Sequence, residues 1–398
     1  MPDNVKGRRA FLYVQHLLGI GHLRRAVTLA TALAASGMDV TLASGGSEVP
    51  GMNLIGVRFV QLPAASAADS TFKVLVDSDG RPVDESWKIK RRGVLLDAWR
   101  AADPHALVIE LYPFGRRQMR FELVPLLEAA ATAARRPLIV CSVRDAIGAG
   151  QKDGSRQDEM IEIFERYFDR LLVHGDPAVI PFSQTFRHAG KIESRLTYTG
   201  YVVDDTGAEL SVARVGGPGE GEVIVSAGGG AVGTRLLRTA IQARPHSVLA
   251  DRIWRVLGGV NAAAADLARL AGVADAIGQG KVVIERARTD FPGLLANCAL
   301  SVSQGGYNTM MEIVQARARA VVVPFAASAE TEQTLRGRWF ADRGLIELVE
   351  EDALTAESLA AAIDRAAARP RPDRGVIDLG GAQRTAALIS SWTSGLEW

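Results

Sequence analysis

"SVSQGGYNTMMEIVQARARAVVVPF", residues 301–325, decides how this chain folds. Its opening reads as a buried strand ending at Ser303. Gln304, Gly305 and Gly306 supply a turn, and the helical period that follows puts Asn308, Thr309 and Glu312 on one face. "AVVVPF" then reads as the next strand. A strand, a helix and a second strand in so short a span is the crossover unit of a parallel sheet. The helix opens at the carboxyl end of a strand, where such sheets bind ligands. A carboxylate at Glu312 can there accept hydrogen bonds from the two vicinal hydroxyls of a ribose. Further on, "PFAASAETEQTLRGRWF" offers Glu330, Glu332 and Gln333 where loop becomes helix. Acidic residues also suit a helix's first turn, so plain helix-start chemistry is the alternative for Glu332 and Gln333.

Working outward, the same alternation recurs. "EVIVSAG", "RIWRVLGG", "KVVIE", "ALSVS" and "LIELV" read as strands, and so do the runs at 10–16, 38–43, 106–111, 137–142 and 170–174. Between the two sets, "VVDDTGAELSVARVGGPGEGE" is polar, glycine-rich and without period. The expected organisation is an N-terminal Rossmann-like domain over 1–203, a linker over 204–221 and a C-terminal Rossmann-like domain over 222–398. The last helix is free to pack back on the first domain. Both blocks are α/β and doubly wound, and the expected site is a cleft where the two face each other.

Two glycine-bearing turns accompany this pattern. "VIVSAGGGAVG" (223–233) runs a strand into Ser226, Gly228, Gly229, Gly230 and Gly233 ahead of a helix, which suits an anion. It lacks the Lys-Ser/Thr pair of a P-loop, and a tight structural turn is the alternative. "LLGIGHLRRAVTLATAL" (17–33) places Gly19, Gly21 and His22 at a helix start. The helix dipole disfavours the charged imidazole, so His22 stays neutral and can serve as a general base, or it merely caps the helix. Of Arg24 and Arg25, one is expected to reach an anionic ligand and the other to be solvated. No G-x-G-x-x-G fingerprint is present, so the first block is not expected to hold NAD.

Composition excludes some classes. Lys+Arg 46 against Asp+Glu 45 gives a net charge of +1, which does not advertise a nucleic-acid partner. Cys141 and Cys298 lie in separate apolar runs without metal-ligand spacing, and read as free thiols of a reducing compartment. No run is long and apolar enough to span a bilayer, and the N-terminal apolar stretch reads as a strand, giving a cytoplasmic expectation. Residues 86–100, "SWKIKRRGVLLDAWR", are basic and amphipathic. They suit peripheral membrane contact, or simply a helix with a solvated basic edge.

Together "GIGH", "SAGGGAVG" and "SQGGYNTMMEIVQARARAVVVPF…ETEQ" resemble glycosyltransferase family 28, of GT-B architecture. That family includes the enzyme attaching N-acetylglucosamine to the lipid-linked peptidoglycan precursor. "YPFGRRQMRFEL" (112–123), "SVRDAI", "YFDRLLVHGDP" and "YTGYV" are similar to a bacterial subgroup of predicted glycosyltransferases. The resemblance implies a UDP-sugar donor, transfer with inversion, and no bound metal or other cofactor. It implies that Glu312 holds the ribose and that Gln333 with Glu332 grips the sugar hydroxyls. Gly228, Gly229 and Gly230 line the diphosphate, with Gly305 and Gly306 beside them, and the backbone near Asp290 and Phe291 meets the base. Gly21, Ser226, Gln304, Asn308 and Thr309 complete the donor set, and His22 lies toward the acceptor. Base candidates are His22, then Asp145 and Glu110 at strand ends. Arg24 or Arg144 is expected to offset charge on the leaving diphosphate. The 112–123 segment does not match the peptidoglycan enzyme's acceptor region, which leaves the acceptor open. Hydrolysis of the nucleotide-sugar, 2-epimerisation and a non-catalytic partner subunit are the rival readings.

Overall fold

The computed structural model describes the chain except residues 1–6, 18, 69–73, 149–153, 205–212, 228–232, 260–261, 326–331, 374, 376 and 395–398. It divides into two compact units, Met1–Val203 with Asp378–Trp398, and Asp204–Ile377.

In the first unit the strands are β1 (Arg9–Val14), β2 (Asp39–Ser44), β3 (Val57–Gln61), β4 (Ser66–Ala67), β5 (Leu75–Val76), β6 (Ala106–Glu110), β7 (Leu138–Arg144), β8 (Arg170–His174) and β9 (Leu196–Tyr198). Its helices are α1 (Gly21–Ala35), α2 (Glu85–Ala102), α3 (Arg120–Ala131), α4 (Gly154–Tyr167), α5 (Phe182–Thr185) and, from the chain's end, α12 (Gly381–Ser394). Seven strands form one parallel sheet in the order β3-β2-β1-β6-β7-β8-β9, and β4 pairs antiparallel with β5. Alternate residues of β1 serve opposite cores. Phe11 and Tyr13 join one with Leu107, Ile109 and Leu123; Leu12 and Val14 join the other with Leu29, Leu33 and Ile389. Burial on both faces is why the strands read as continuous apolar runs. Helix α12 lies on α1 through Ala382, Ala386 and Ile389, so the second unit ends at Ile377 rather than at the chain terminus.

The second unit carries β10 (Val223–Ser226), β11 (Trp254–Gly258), β12 (Val282–Arg286), β13 (Leu300–Ser303), β14 (Ala320–Val322) and β15 (Glu347–Leu348). Between them run α6 (Thr234–Ala243), α7 (Ala264–Ile277), α8 (Phe291–Asn297), α9 (Tyr307–Ala316), α10 (Glu332–Asp342) and α11 (Ala356–Ala368). All six strands are parallel, ordered β12-β11-β10-β13-β14-β15. Both units are therefore doubly wound Rossmann-like domains. In each, the strand order reverses at one place: between β1 and β6, and between β10 and β13. Ligands of such sheets bind in the crevice at the carboxyl ends of the strands flanking that reversal.

The basic stretch on α2 is split by the fold. Arg91 is fully buried, with Nε and Nη2 on Glu122 (2.7 and 2.8 Å), Nη1 on the Gly45 and Pro63 carbonyls (2.7 and 2.6 Å) and Nη2 on Gln15 Oε1 (2.6 Å). Leu95 and Trp99 face the same core, whereas Lys90 is exposed. One of the charges that suggested a membrane face is thus an interior tie. No described helix is long and apolar enough to cross a membrane. Cys141 and Cys298 are buried free thiols.

Candidate functional site

Each reversal point carries its own group of polar residues. In the first unit, α1 opens without a side-chain cap and without an acidic residue in its first turn. His22 stands in that turn, and its Nδ1 lies 2.8 Å from Oε1 of Glu110, the last residue of β6. Arg25, one turn later and 3% exposed, donates Nη2 to the same oxygen. Glu110 is buried, yet its Oε2 has no partner among the described residues. The expectation that one of Arg24 and Arg25 is solvated does not describe Arg25, which is an interior ion-pair partner. Arg24 is half-buried.

The protonation pattern follows from these contacts. Burial pushes His22 down to about 3 against the pull of Glu110. Burial also works to raise Glu110, but His22 and Arg25 hold it at about 2. At neutral pH Glu110 is a carboxylate that can only accept, so Nδ1 of His22 carries the ring proton and Nε2 holds the lone pair. The side chain keeps 15% of its surface exposed. That is the arrangement of an oriented general base.

The other base candidates are placed differently. Asp145 is fully buried, and its Oδ1 accepts the Ala146 N–H at 2.8 Å, closing the turn after β7. Glu110 serves as the orienting partner of His22. Arg144, at the end of β7, is half-buried and acts electrostatically on His22 and Arg116. Arg116 was not singled out from the sequence. Its Nε donates to the Gln15 carbonyl at 2.8 Å, at the carboxyl end of β1, and its charge acts on both His22 and Glu110. Behind this group His174 is fully buried between Ser142 (2.8 Å) and Thr199 (2.9 Å), with burial pushing it down to about 3.

These histidines make stability acid-sensitive. An unfolded chain protonates each near the ordinary value of 6.5, whereas the folded chain waits until about 3. In that window the unfolded state binds more protons, so stability falls as pH drops, by about 1.4 kcal/mol per unit for each buried histidine. Glu110, with its depressed value, adds loss in the same direction below its ordinary range. The urea midpoint is expected to hold above pH 7 and decline steadily from 6.5 to 4. A flat profile would show that neither imidazole is kept neutral.

In the second unit, β10 and β13 run side by side with Ser226 opposite Ser303. Both hydroxyls are buried without a hydrogen-bond partner among the described residues. Gly233 leads into α6 at φ 122°, and a Cβ there would lie 2.4 Å from that of Ala227 and 3.3 Å from Nε2 of Gln304, so only glycine fits. Across the reversal, Gly306 opens α9. Neither helix has a side-chain cap, and both open from the loops that follow the strands flanking this reversal. A cavity of about 230 Å³ lies here, lined by Gly233, Thr234, Gln304, Val323, Pro324 and Phe325 among others.

Asn308, Thr309 and Glu312 are half-buried on α9. Gly305 is fixed by Arg336 of α10, which is fully buried, donates Nη1 to the Gly305 carbonyl at 3.1 Å and lies over the Tyr307 ring. Glu332 is buried at the start of α10, and Gln333 Oε1 accepts the Phe325 N–H at 3.1 Å. Phe291 is buried at the start of α8, beside an Arg288–Asp290 ion pair (2.7 Å). Gly228, Gly229, Gly230 and Glu330 lie outside the described residues. Arg336 is a second residue missed in the sequence, where it reads as an ordinary helix cation.

With this geometry in hand, the comparisons with known proteins are specific. Residues 278–373 match the Glycosyltransferase family 28 C-terminal domain. A segment of 144 residues is 30% identical to a UDP-N-acetylglucosamine–N-acetylmuramyl-(pentapeptide) pyrophosphoryl-undecaprenol N-acetylglucosamine transferase of Geobacillus kaustophilus, covering 36% of this chain. The match spans 38% of that relative's length. Among solved structures, the calicheamicin glycosyltransferase superposes with a TM-score of 0.61 at 17% identity, over 98% of this chain and 100% of the other. MurG of Acinetobacter baumannii gives 0.56 at 13% identity, over 96% and 99%. The fold is that of the GT-B glycosyltransferases.

Proposed function

We propose that this chain, whose second unit contains a family 28 C-terminal domain, is an inverting glycosyltransferase that uses a UDP-sugar and no metal. The observation that carries the reading is the His22–Glu110 pair: a neutral imidazole with its lone pair exposed, at a sheet reversal. An acceptor hydroxyl gives its proton to Nε2 of His22, and its oxygen bonds to the anomeric carbon. The bond from that carbon to the diphosphate breaks, and UDP leaves. Charge on the departing diphosphate is met by the amides at the starts of α6 and α9. Glu312 holds the ribose hydroxyls, and Glu332 with Gln333 faces the sugar. The acceptor is a hydroxyl compound bound by the first unit.

Calorimetric titration with UDP tests the donor half. Wild type is expected to bind, and Glu312→Ala to bind at least tenfold more weakly, since each hydrogen bond to a charged group contributes about 1.5–3 kcal/mol. Absence of UDP binding by the wild type would remove the reading. A panel of UDP-sugars with and without hydroxyl acceptors then separates transfer from release of free sugar.

A further inference from the structure

We infer that His174 is a positioning residue for the transfer: it sets the Ser142 hydroxyl on Oε2 of Glu110, and so holds the carboxylate that orients His22. This rests on the assignment of His22 as base and adds what fixes that base in place.

Glu110 is held by one oxygen. Oε1 takes both His22 and Arg25, whereas Oε2 is buried and meets no donor among the described residues. A buried charged oxygen without a donor is costly, and a carboxylate pinned at one oxygen can still rotate. Such a rotation would carry the imidazole with it, and a misplacement of about 1 Å can cost about 10²-fold in rate. A donor for Oε2 therefore serves the reaction as well as the fold.

The neighbouring strand carries one. Ser142 of β7 is the register partner of Glu110, one strand spacing of about 4.8 Å away. Val108, Val140 and Leu172 line the core that α1 covers. Residues two places later share their face, so Glu110, Ser142 and His174 form a polar row across three strands on the side of α1. Glu110 acts electrostatically on His174, which lies within its field.

One choice remains along the row, the tautomer of His174. Its Nε2 lies 2.8 Å from Ser142 Oγ, and its Nδ1 lies 2.9 Å from Thr199 Oγ1. With the proton on Nδ1, the ring takes the Ser142 proton and Glu110 receives none. With it on Nε2, the ring donates to Ser142, whose own proton is left for Glu110. Thr199 then gives its proton to Nδ1 in place of the Gly200 carbonyl, 2.8 Å away. That trade leaves a neutral carbonyl short in order to satisfy a charged oxygen, which is the favourable direction. His174 in the Nε2–H form thus passes a donor along the row to the partner of the base.

The test is nitrogen NMR of the full chain carrying isotopically labelled histidine, with signals assigned by their loss in His174→Gln and His22→Ala. His174 is expected as Nε2–H and His22 as Nδ1–H. Ser142→Ala and His174→Phe are expected to speed exchange of the His22 Nδ1 proton with water by about tenfold or more, since a hydrogen bond to a charged group is lost. His174→Gln, whose amide puts a donor where Nε2 stands, is expected to keep exchange slow. His174→Asn, whose amide lies at the Nδ1 position, is expected to behave like His174→Phe. If the phenylalanine variant melts early, Ser142→Ala, which removes a single oxygen, carries the comparison. His174 found as Nδ1–H, slow exchange kept in Ser142→Ala, or equal exchange in His174→Gln and His174→Asn would overturn the inference and leave His174 a structural residue. Failure to bind UDP would instead strike the donor reading, and activity surviving in His22→Ala would strike the base; neither result moves these signals.

Discussion

Replacing His22 by alanine is expected to lower kcat/KM by about 10²–10⁴, the usual contribution of a positioned base, with UDP affinity unchanged. The expectation follows from how the imidazole is held. Glu110 takes the Nδ1 proton, so deprotonation falls to Nε2, and the imidazolium formed in the reaction is stabilised by the same carboxylate. Because burial keeps His22 down to about 3, the free enzyme needs no deprotonation to become active. The kcat/KM profile should accordingly show no inflection near 6.5, unlike that of an exposed histidine. Initial rates of UDP release across pH 5–8, for wild type and His22→Ala, check both points. A variant that keeps wild-type activity would remove His22 from the proton transfer. An inflection near 6.5 in the wild type would show an imidazole that is not held neutral. Glu110→Gln offers an independent check. The amide is uncharged and removes the carboxylate that Arg25 pairs with, so loss of rate and loss of stability should appear together there.

The sequence displayed the two sheets because their strands are buried on both faces and therefore read as unbroken apolar runs. It hid β3, an edge strand whose residues Arg58 and Gln61 are exposed, and β9, which is only half-buried. The assignment of α12 to the first unit depends on small residues meeting α1, a contact without local signature. In the second unit the spacing of Gly305, Gly306 and Glu312 was legible because turn, helix start and carboxylate are consecutive. In the first unit, His22 and Glu110 are far apart in sequence and meet only because β1 and β6 are sheet neighbours. The interior roles of Arg25, Arg91 and Arg336 were not legible, since nothing in a single sequence distinguishes a solvated arginine from one tied to an interior carboxylate or carbonyl. The usable hint lay in the partners: Glu110 and Glu122 each sit in an otherwise apolar stretch, where a buried carboxylate needs a cation.

Arg91→Ala is expected to destabilise the first unit by about 3–5 kcal/mol, because it strands Glu122 as an unpaired buried charge. Glu122 is fully buried and also accepts from Tyr13 at 2.5 Å, a neutral donor that cannot replace the guanidinium. At about 2–4 °C per kcal/mol for a domain of this size, the first thermal transition should drop by about 6–20 °C. Removing both charges, as Arg91→Leu with Glu122→Leu, commonly restores stability where an ion pair is all that is lost. Here it is expected to recover only part, because Arg91 also satisfies the carbonyls of Gly45 and Pro63 and the side chain of Gln15. Gln15 Oε1 would be left buried without that donor, costing about 1–3 kcal/mol, while the Gly45 carbonyl keeps the Ala65 N–H at 2.9 Å. Space at Gly45 enforces the arrangement, since a Cβ there would lie 2.1 Å from Arg91 Nη2 and 2.2 Å from Gln15 Oε1. Full recovery of stability in the double variant would show that the carbonyls find other donors and that Arg91 acts only as the partner of Glu122.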